Sequence, residues 1–392
     1  MQKIPAGTGI GENIVMKILD GSVLEGGGQI LRNAAALSAI TGQIVRVENV
    51  RGKRSRPGLR PQHKTGLDKV AEACGGQLIG CEIDSTSVQL YPGKLHQNTG
   101  DIIADIGTAG SCALIAQAVV PCLLMAGGHS HIICKGGTDA AAAPPADFLL
   151  HILQPYFDRI GLDDVNFTLK KRGFFPKGGG ELTVSIKSPR GGASLDSFQL
   201  TNRGELTHIE AKIWTAGKCG RGMGRAIWQS ASKTLSQAPS AIASLPQTTS
   251  IVKLDENEAV GSSAGVLLIA HTSQGYRLSA SSQLDRKRGP EEVGTLAAQA
   301  LLTELEHGGC VDEYVQDQLI IFMALAAGVS VVQCGPISLH TKTAMWVASE
   351  ILGVDFSIAE GDENVPFNTI TCRGAGVIVP VSPIDDNDSE DA

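Results

Sequence analysis

The sequence predicts an α+β fold: three repeated helix–strand–helix–strand units with a smaller α+β domain inserted. One pattern of helix, strand, second helix and further strands recurs three times along the 392 residues. Each second helix is followed by a glycine suited to a left-handed C-cap, at Gly75, Gly161 and Gly353. The second helices begin near residues 62, 145 and 340, and the longer interval leaves about 112 extra residues for an insertion. Such a repeat favours a pseudo-symmetric array over a doubly wound sheet.

Hydrophobic periodicity justifies the elements of each unit in turn. The first unit has predicted helices and strands at 28–40, 44–50, 62–74, 78–83 and 88–91. The second has them at 111–126, 131–134, 146–160, 165–171 and 181–186. The third has them at 311–327, 329–334, 340–352, 356–359 and 370–379.

These elements divide the chain into four predicted segments. Residues 1–187 hold the first two units, 188–275 form the inserted α+β domain, and 276–384 hold the third unit. Residues 385–392 are predicted to be a disordered acidic tail, because five acids there account for most of the net charge of -7.

Composition excludes several classes of protein. An apolar content of 42% with 19% charged residues is typical of globular chains, not of disordered ones. The longest apolar stretch, 112–126, is too short to span a bilayer. Nine cysteines without a CxxC pair, and no HExxH motif, argue against structural zinc. We expect a soluble, intracellular protein in a reducing compartment, with no membrane partner; nucleus or cytoplasm, and the oligomeric state, stay open.

Two sequence motifs suit phosphate binding. Three glycines between Glu25 and Arg32 expose backbone N–H groups where a helix begins, with a carboxylate for a metal and a guanidinium for an anion. A turn with an exposed ion pair explains this motif equally well. The strip 51–64 holds six Lys or Arg residues and no acid. Arginine forks fit phosphate oxygens, so a ligand-binding role is favoured here over a solvated face.

Other motifs are more ambiguous. The glycine-rich block 172–182 is either a close approach of backbone to a ligand or a bulged hairpin. The basic cluster 286–288 is predicted to be ordinary surface. Asp317 adjoins an apolar run, so it is either exposed or functional. His340 lies between a strand end and a helix start, where a neutral imidazole could form a phosphoramidate, although a lone histidine is more often structural. The residues by themselves indicate a phosphate-handling protein and do not define a reaction.

The sequence resembles the RNA 3'-terminal phosphate cyclase family from about residue 15 to 379. The most specific similarity is RGFFPKGGGEL at 172–182, which matches the family signature without a mismatch. Further similar blocks occur in the same order as in the family: DGSVLEGGGQILR (20–32), RPGLRPQH (56–63), KGGTDAAAAP (135–144), HGGCVDEYVQDQL (307–319) and LHTKTA (339–344).

The resemblance implies a fold of three repeats plus an inserted domain, related in architecture to enolpyruvyl transferases. It also implies a three-step reaction that uses ATP and Mg²⁺ or Mn²⁺. A histidine attacks the α-phosphate of ATP and becomes adenylylated, releasing pyrophosphate. The adenylate passes to the 3'-terminal phosphate of an RNA, and the ribose 2'-OH then closes a 2',3'-cyclic phosphodiester and expels AMP.

Residue by residue, the resemblance implies His340 as the nucleophile and Asp317 as the acid that orients or polarises it. Glu25 would be a ligand of the divalent metal on ATP. The remaining implied residues belong to a nucleotide pocket or hold phosphates of ATP and of the RNA end: Gln117, Pro144, Tyr314 and Gln318 in the pocket, and Arg32, Arg51, Arg54, Gln62 and His63 at the phosphates.

Two alternative functions, each different from a cyclase, fit the same fold. A related branch of the same fold acts in ribosome assembly without cyclase activity and lacks the catalytic histidine, so His340 favours the enzyme. An enolpyruvyl transferase would share the architecture, but the block 172–182 argues against it. The sequence departs from the family pattern at Met345-Trp346, at both termini and most strongly in the insert.

Overall fold

A computed structural model of the chain describes residues 16–162, 164–188 and 191–379. Three of its four sheets share one topology, one for each predicted unit, so the predicted fold class is confirmed. The tail at 385–392, predicted to be acidic and disordered, lies outside the described residues.

The first unit sets the pattern. It comprises β1 (Lys17–Asp20), α1 (Gly28–Thr41), β2 (Val45–Glu48), α2 (Pro61–Ala73), β3 (Gln77–Ile79) and β4 (Val88–Tyr91). The sheet order is β1-β2-β4-β3, in which β1 and β2 are parallel and the other pairs antiparallel.

The second unit repeats this order. It comprises β5 (Gly100–Asp105), α3 (Cys112–Ala126), β6 (Gly128–Gly136), a second helical segment, β7 (Val165–Gly173) and β8 (Gly180–Ser188). The sheet runs β5-β6-β8-β7 with the same strand directions. Its second helical segment, predicted to be one helix, is interrupted by a π-helical turn: α4 (Ala146–Phe148), the π-helix Leu149–Leu153 and α5 (Gln154–Arg159).

The inserted unit follows a short strand, β9 (Gln199–Leu200). It comprises β10 (Leu206–Ala216), α6 (Arg221–Ser236), α7 (Ser240–Ala243), β11 (Gln247–Leu254), β12 (Ala259–Val260), β13 (Ser263–Thr272), β14 (Arg277–Gln283) and α8 (Pro290–Glu306). Its sheet order is β11-β10-β13-β14, while β12 pairs with β7 of the second unit. Helices α6 and α8 pack on this sheet around a hydrophobic core of its own.

The third unit is completed by α9 (Glu313–Leu325), β15 (Ala327–Cys334), α10 (Leu339–Leu352), β16 (Phe356–Ala359) and β17 (Asn368–Ala375). Its sheet order is β9-β15-β17-β16, with β9 parallel to β15. The boundaries of the insert therefore differ from the predicted 188–275 at both ends. Strand β9, inside the predicted range, belongs to the third sheet, whereas β14 and α8, beyond residue 275, belong to the insert. The sequence signal is weak there, because β9 has two residues and β14 is largely polar.

The first helices of the three units, α1, α3 and α9, lie at the centre of the main core. Because these helices are buried on nearly all sides, their sequences are apolar almost throughout. A few polar side chains on them face a common cavity, described below. All nine cysteines are free and buried. No described helix has the length and apolarity needed to cross a membrane.

Candidate active site

A cavity of about 280 Å³ lies where the first helices of the three units meet. It brings together every site residue predicted from the sequence: Glu25, Arg32, Arg51, Arg54, Gln62, His63, Gln117, Pro144, Tyr314, Asp317, Gln318 and His340. Two further polar residues, Gln29 and Glu313, also line it. Helical spacing could have indicated both, since Gln29 lies three residues before Arg32 and Glu313 four before Asp317.

Helix α1 begins at this cavity without a capping side chain. Its N-cap is Gly27, and no side-chain capping hydrogen bond is formed there within the described residues. A Cβ on Gly28 would lie 2.7 Å from His63 Nε2 and 2.9 Å from Arg32 Nη1, so only glycine lets these side chains approach the helix end. The arrangement leaves backbone N–H groups and a positive helix end available to an anion.

A hydrogen-bonded network joins the three central helices beside that helix end. Arg32 donates from Nε to Gln117 Oε1 (2.8 Å) and from Nη2 to Gln29 Oε1 (2.7 Å). Gln29 Nε2 donates to Asp317 Oδ2 (3.3 Å). Burial lowers the pKa of Arg32 to about 10, which leaves it charged at neutral pH. Burial raises the pKa of Asp317 to about 7 although Arg32 opposes this, so Asp317 titrates near neutrality.

His340 lies in the first turn of α10, where Ser338 Oγ accepts a hydrogen bond from the Thr341 amide (3.1 Å). Its Nδ1 is buried and has no hydrogen-bond partner among the described residues, and the residue lines the cavity. Burial, Arg32 and Arg54 all lower the pKa of His340, so the ring is neutral at pH 7. Within the described ranges no hydrogen bond joins Asp317 to His340, and the expected orienting role of Asp317 therefore lacks a direct contact.

The basic strip contributes only part of its charge to the cavity. Arg51 and Arg54 line it, whereas Arg60 pairs with Asp84 (2.5 Å) outside it. Arg51 Nη1 donates to the Gly58 carbonyl (3.0 Å) and so closes the loop. The strip is thus a folded loop that presents two arginines to the cavity.

Helix α2 carries Gln62 and His63 in its first turn. Gln62 Oε1 accepts from the Ser111 amide (2.9 Å), and His63 Nδ1 accepts from the Arg60 amide (3.1 Å). Burial and the neighbouring arginines lower the pKa of His63 to about 3. A neutral ring whose Nδ1 accepts must carry its proton on Nε2, so His63 can donate a hydrogen bond but cannot act as a base.

Glu25 lies beside the N-terminus of α1, with its carboxylate against Gly27. Its side chain is 6% exposed; Oε1 pairs with Arg54, and Oε2 is buried without a partner among the described residues. No cluster of three or more His, Cys, Asp or Glu side chains in the described ranges could hold a metal by itself. A single free carboxylate oxygen fits Mg²⁺ that is bound mainly through nucleotide phosphates.

An aromatic and a proline form the outer wall of the cavity. Tyr314 is 38% exposed, and its ring packs edge-on against Phe148 with centroids 5.7 Å apart. Gln318 Nε2 donates to the Tyr314 carbonyl (3.3 Å), and Pro144 is buried beside it. A flat ring, a proline and an amide provide the contacts that a nucleobase requires.

The signature block 172–182 does not enter the cavity. Arg172 is buried, pairs with Asp139 and Asp147, and lies 4.4 Å below the ring of Trp214 in the inserted unit. A Cβ on Gly173 would collide with backbone atoms of Gly180. The structure thus favours the hairpin interpretation of these glycines, and Arg172 has a structural role.

The three-repeat α+β core, and a cavity with an uncapped helix end, three arginines and a neutral histidine, suit an enzyme that acts on phosphate groups. A profile described as RNA 3'-terminal phosphate cyclase matches residues 23–358. The chain belongs to this family of ligase-type enzymes, which confirms the resemblance found in the sequence.

Individual relatives agree with this assignment. The chain is 35% identical over 362 residues to the probable RNA 3'-terminal phosphate cyclase of Dictyostelium discoideum, covering 91% of this chain and 82% of the relative. It is 33% identical over 363 residues to the RNA 3'-terminal phosphate cyclase of Drosophila melanogaster, covering 91% and 96%. It is also 33% identical over 366 residues to that of Methanopyrus kandleri, covering 91% and 99%.

Among solved structures, the enolpyruvyl transferase NikO from Streptomyces tendae aligns at 11% identity with a TM-score of 0.37. The alignment covers 94% of this chain and 50% of that structure. A likeness this distant adds nothing to the assignment.

Proposed function

We propose that this protein is an ATP-dependent RNA 3'-terminal phosphate cyclase. It would convert an RNA 3'-phosphate to a 2',3'-cyclic phosphodiester through a histidine–AMP and an RNA-(3')pp(5')A intermediate. The observation that carries the proposal is that every residue resembling a functional residue of the family lines one cavity together with His340.

In the first step, the lone pair of His340 Nε2 forms a bond to the α-phosphorus of ATP, and the bond to the bridging oxygen of pyrophosphate breaks. A neutral imidazole is required, and the low pKa of His340 supplies it. The developing negative charge lies near the free end of α1 and Arg32, which stabilise it without rearrangement. Asp317 acts through Gln29, since that amide connects its carboxylate to the Arg32 guanidinium.

In the second step, an oxygen of the RNA 3'-phosphate attacks the same phosphorus and His340 leaves. In the third step, the ribose 2'-OH attacks the activated 3'-phosphorus and gives up its proton to solvent, and AMP departs with the bridging oxygen. Because the 2'-OH is attached to the same ribose, this closure is intramolecular and gains the corresponding advantage in effective concentration. Arg51, Arg54 and the Nε2–H of His63 would hold the terminal phosphate.

Glu25 Oε2 would be the protein ligand of a Mg²⁺ or Mn²⁺ ion carried by the nucleotide. Such an ion supplies charge neutralisation at the triphosphate. The nucleobase would lie between Tyr314 and Pro144, with Gln318 and Gln117 as amide partners.

The test is covalent labelling with α-³²P-ATP, followed by acid treatment. The wild type should form an acid-labile adenylate, and His340→Asn should form none. His129→Asn serves as the matched control, because His129 is an exposed histidine that does not line the cavity. An RNA with a 3'-phosphate should then become resistant to phosphatase. Absence of any adenylate in the wild type would instead favour a non-catalytic role such as ribosome assembly.

A further inference from the structure

The candidate active site opens into a cleft between the core and the inserted unit. Its cavity shares Tyr314 and the 141–142 backbone with a second cavity of about 220 Å³. That cavity shares Gln283 and Arg288 with a third, open one of about 1010 Å³. The three cavities adjoin one another through these shared residues, from His340 to Phe175, and we call the second and third together the interunit cleft.

Two residues that line the inner part of the interunit cleft each carry a buried polar atom that has no hydrogen-bond partner within the described ranges. These are Trp214 Nε1 and Ser282 Oγ. Trp214 is only 3% exposed, and its ring is held by the Arg172 guanidinium. An indole N–H can only donate, and leaving a buried donor unpaired is unfavourable. A ligand with acceptor oxygens would satisfy both atoms.

The outer part of the cleft combines an exposed aromatic ring with unpaired cations. Phe175 is 67% exposed, and the Arg286 guanidinium lies 5.7 Å from its ring centroid. In the part of the chain that the structure describes, Arg286 and Lys287 form no salt bridge, whereas Arg288 pairs with Asp285 (3.0 Å). Aromatic rings beside cations bind single-stranded nucleic acids through base stacking and phosphate contacts.

We propose that the interunit cleft binds the RNA strand on the 5' side of its reacting end. The inference rests on the proposed cyclase function, which places the terminal phosphate near His340 and requires the rest of the strand to leave the cavity. Trp214 Nε1 and Ser282 Oγ donate to ribose or phosphate oxygens, Phe175 stacks on a base, and Arg286 and Lys287 contact phosphates. The cluster 286–288, predicted from sequence to be ordinary surface, thereby has a function.

Charge in the cleft is compatible with RNA. Asp285 is paired with Arg288, and Asp139 shares Arg172 with Asp147 in a buried cluster, so the two aspartates that line the cleft add little negative charge to its surface. Glu292 also lines the outer cavity, and its negative charge opposes the positive charges of Arg286 and Lys287. The balance is modest, so stacking and hydrogen bonds contribute alongside electrostatic attraction.

The first test measures binding of fluorescent 3'-phosphorylated oligoribonucleotides of increasing length, without ATP, by anisotropy. We expect wild-type affinity to rise with length. Phe175→Leu should weaken binding of the longest RNA about tenfold through lost stacking, and leave the dinucleotide unaffected. The double variant R286A/K287A should lower the slope of log K against log salt by about 1.4. The control is R225A/K233A, which removes two exposed cations of α6 outside the cleft. This control variant should leave the salt slope unchanged.

The second test addresses single atoms. Trp214→Phe keeps a ring on Arg172 but removes the N–H, and Ser282→Ala removes the hydroxyl. Each substitution should weaken the binding of long RNA several-fold. Thermal unfolding will confirm that the variants are folded. Affinity that does not depend on RNA length, or unchanged binding in both Phe175→Leu and R286A/K287A, overturns the inference. Failure of the wild type to adenylylate overturns the proposed function instead, since the binding measurements need no turnover.

Discussion

Replacing Arg172 with methionine tests how the signature block holds the fold together. Arg172 Nη1 lies 3.1 Å from Asp139 Oδ1 and 2.6 Å from Asp147 Oδ2. The three side chains are 9%, 0% and 9% exposed. Methionine fills similar space but leaves two carboxylates buried without a cation.

Breaking a buried ion pair by removing one partner costs about 3–5 kcal/mol. We therefore expect Arg172→Met to lower the free energy of unfolding by that amount at pH 7. Burial already raises the pKa of Asp139 even with Arg172 present, and without Arg172 its carboxyl will take up a proton more readily. The difference in free energy of unfolding between wild type and Arg172→Met should therefore become smaller as the pH falls.

The assay is urea denaturation of wild type, Arg172→Met and the triple variant R172M/D139N/D147N. The triple variant should recover most of the loss, because it removes the buried charges together with their partner. Asp139 begins the segment that leads to Pro144 in the cavity wall, so Arg172→Met should also raise the KM for ATP. A loss below about 1 kcal/mol, or a triple variant no more stable than Arg172→Met, would refute the reasoning.

Three further predictions concern the cavity. Adenylate formation by His340, measured by labelling at ATP concentrations below saturation, should decline at acid pH with a midpoint below 6.5, because the pKa of the free histidine is lowered; a midpoint above 6.5 would contradict this. Wild-type stability should fall as pH rises from about 4 to about 7, because Asp317 and Asp312 keep their protons in the folded protein over that range and lose them in the unfolded chain. Asp317→Asn should remove the part that Asp317 contributes, and so weaken that dependence, in urea titrations at several pH values. Gly28→Ala should force His63 and Arg32 away from the helix end. We expect this change to reduce the rate of cyclisation at least tenfold and to lower the free energy of unfolding by about 1–3 kcal/mol. Wild-type kinetics in this variant would disprove the close packing.

Periodicity predicted the repeated part of the fold well, because each unit buries its helices against the same kind of sheet. It missed the leading strands β1, β5 and β9, which have 4, 6 and 2 residues and are identified by pairing with distant strands. The insert boundary was misplaced for the same reason, since β9 belongs to a sheet completed more than a hundred residues later.

The site illustrates a different limit of sequence reasoning. Residue type and spacing identified Arg32, Asp317 and His340 as candidates, but sequence could not tell that Asp317 contacts Gln29 instead of His340. Nor could it separate a ligand-binding arginine from a structural one. Arg54 lines the cavity and Arg172 is buried in an ion cluster, a difference set by the neighbours that the fold supplies.

The arginines of the cavity also explain why its histidines are suited to their proposed tasks. Arg32 and Arg54 are placed where phosphates would bind, and the same charges lower the pKa of His340 and of His63. Before a nucleotide binds, His340 is therefore held in its nucleophilic form, and His63 remains a neutral donor. A bound triphosphate would offset those charges and raise both pKa values, which would make the neutral imidazole of His340 more basic, and so a stronger nucleophile, once ATP has entered. In the proposed reaction, one cluster of cations would therefore both bind the anion and set the protonation state of the group that attacks it.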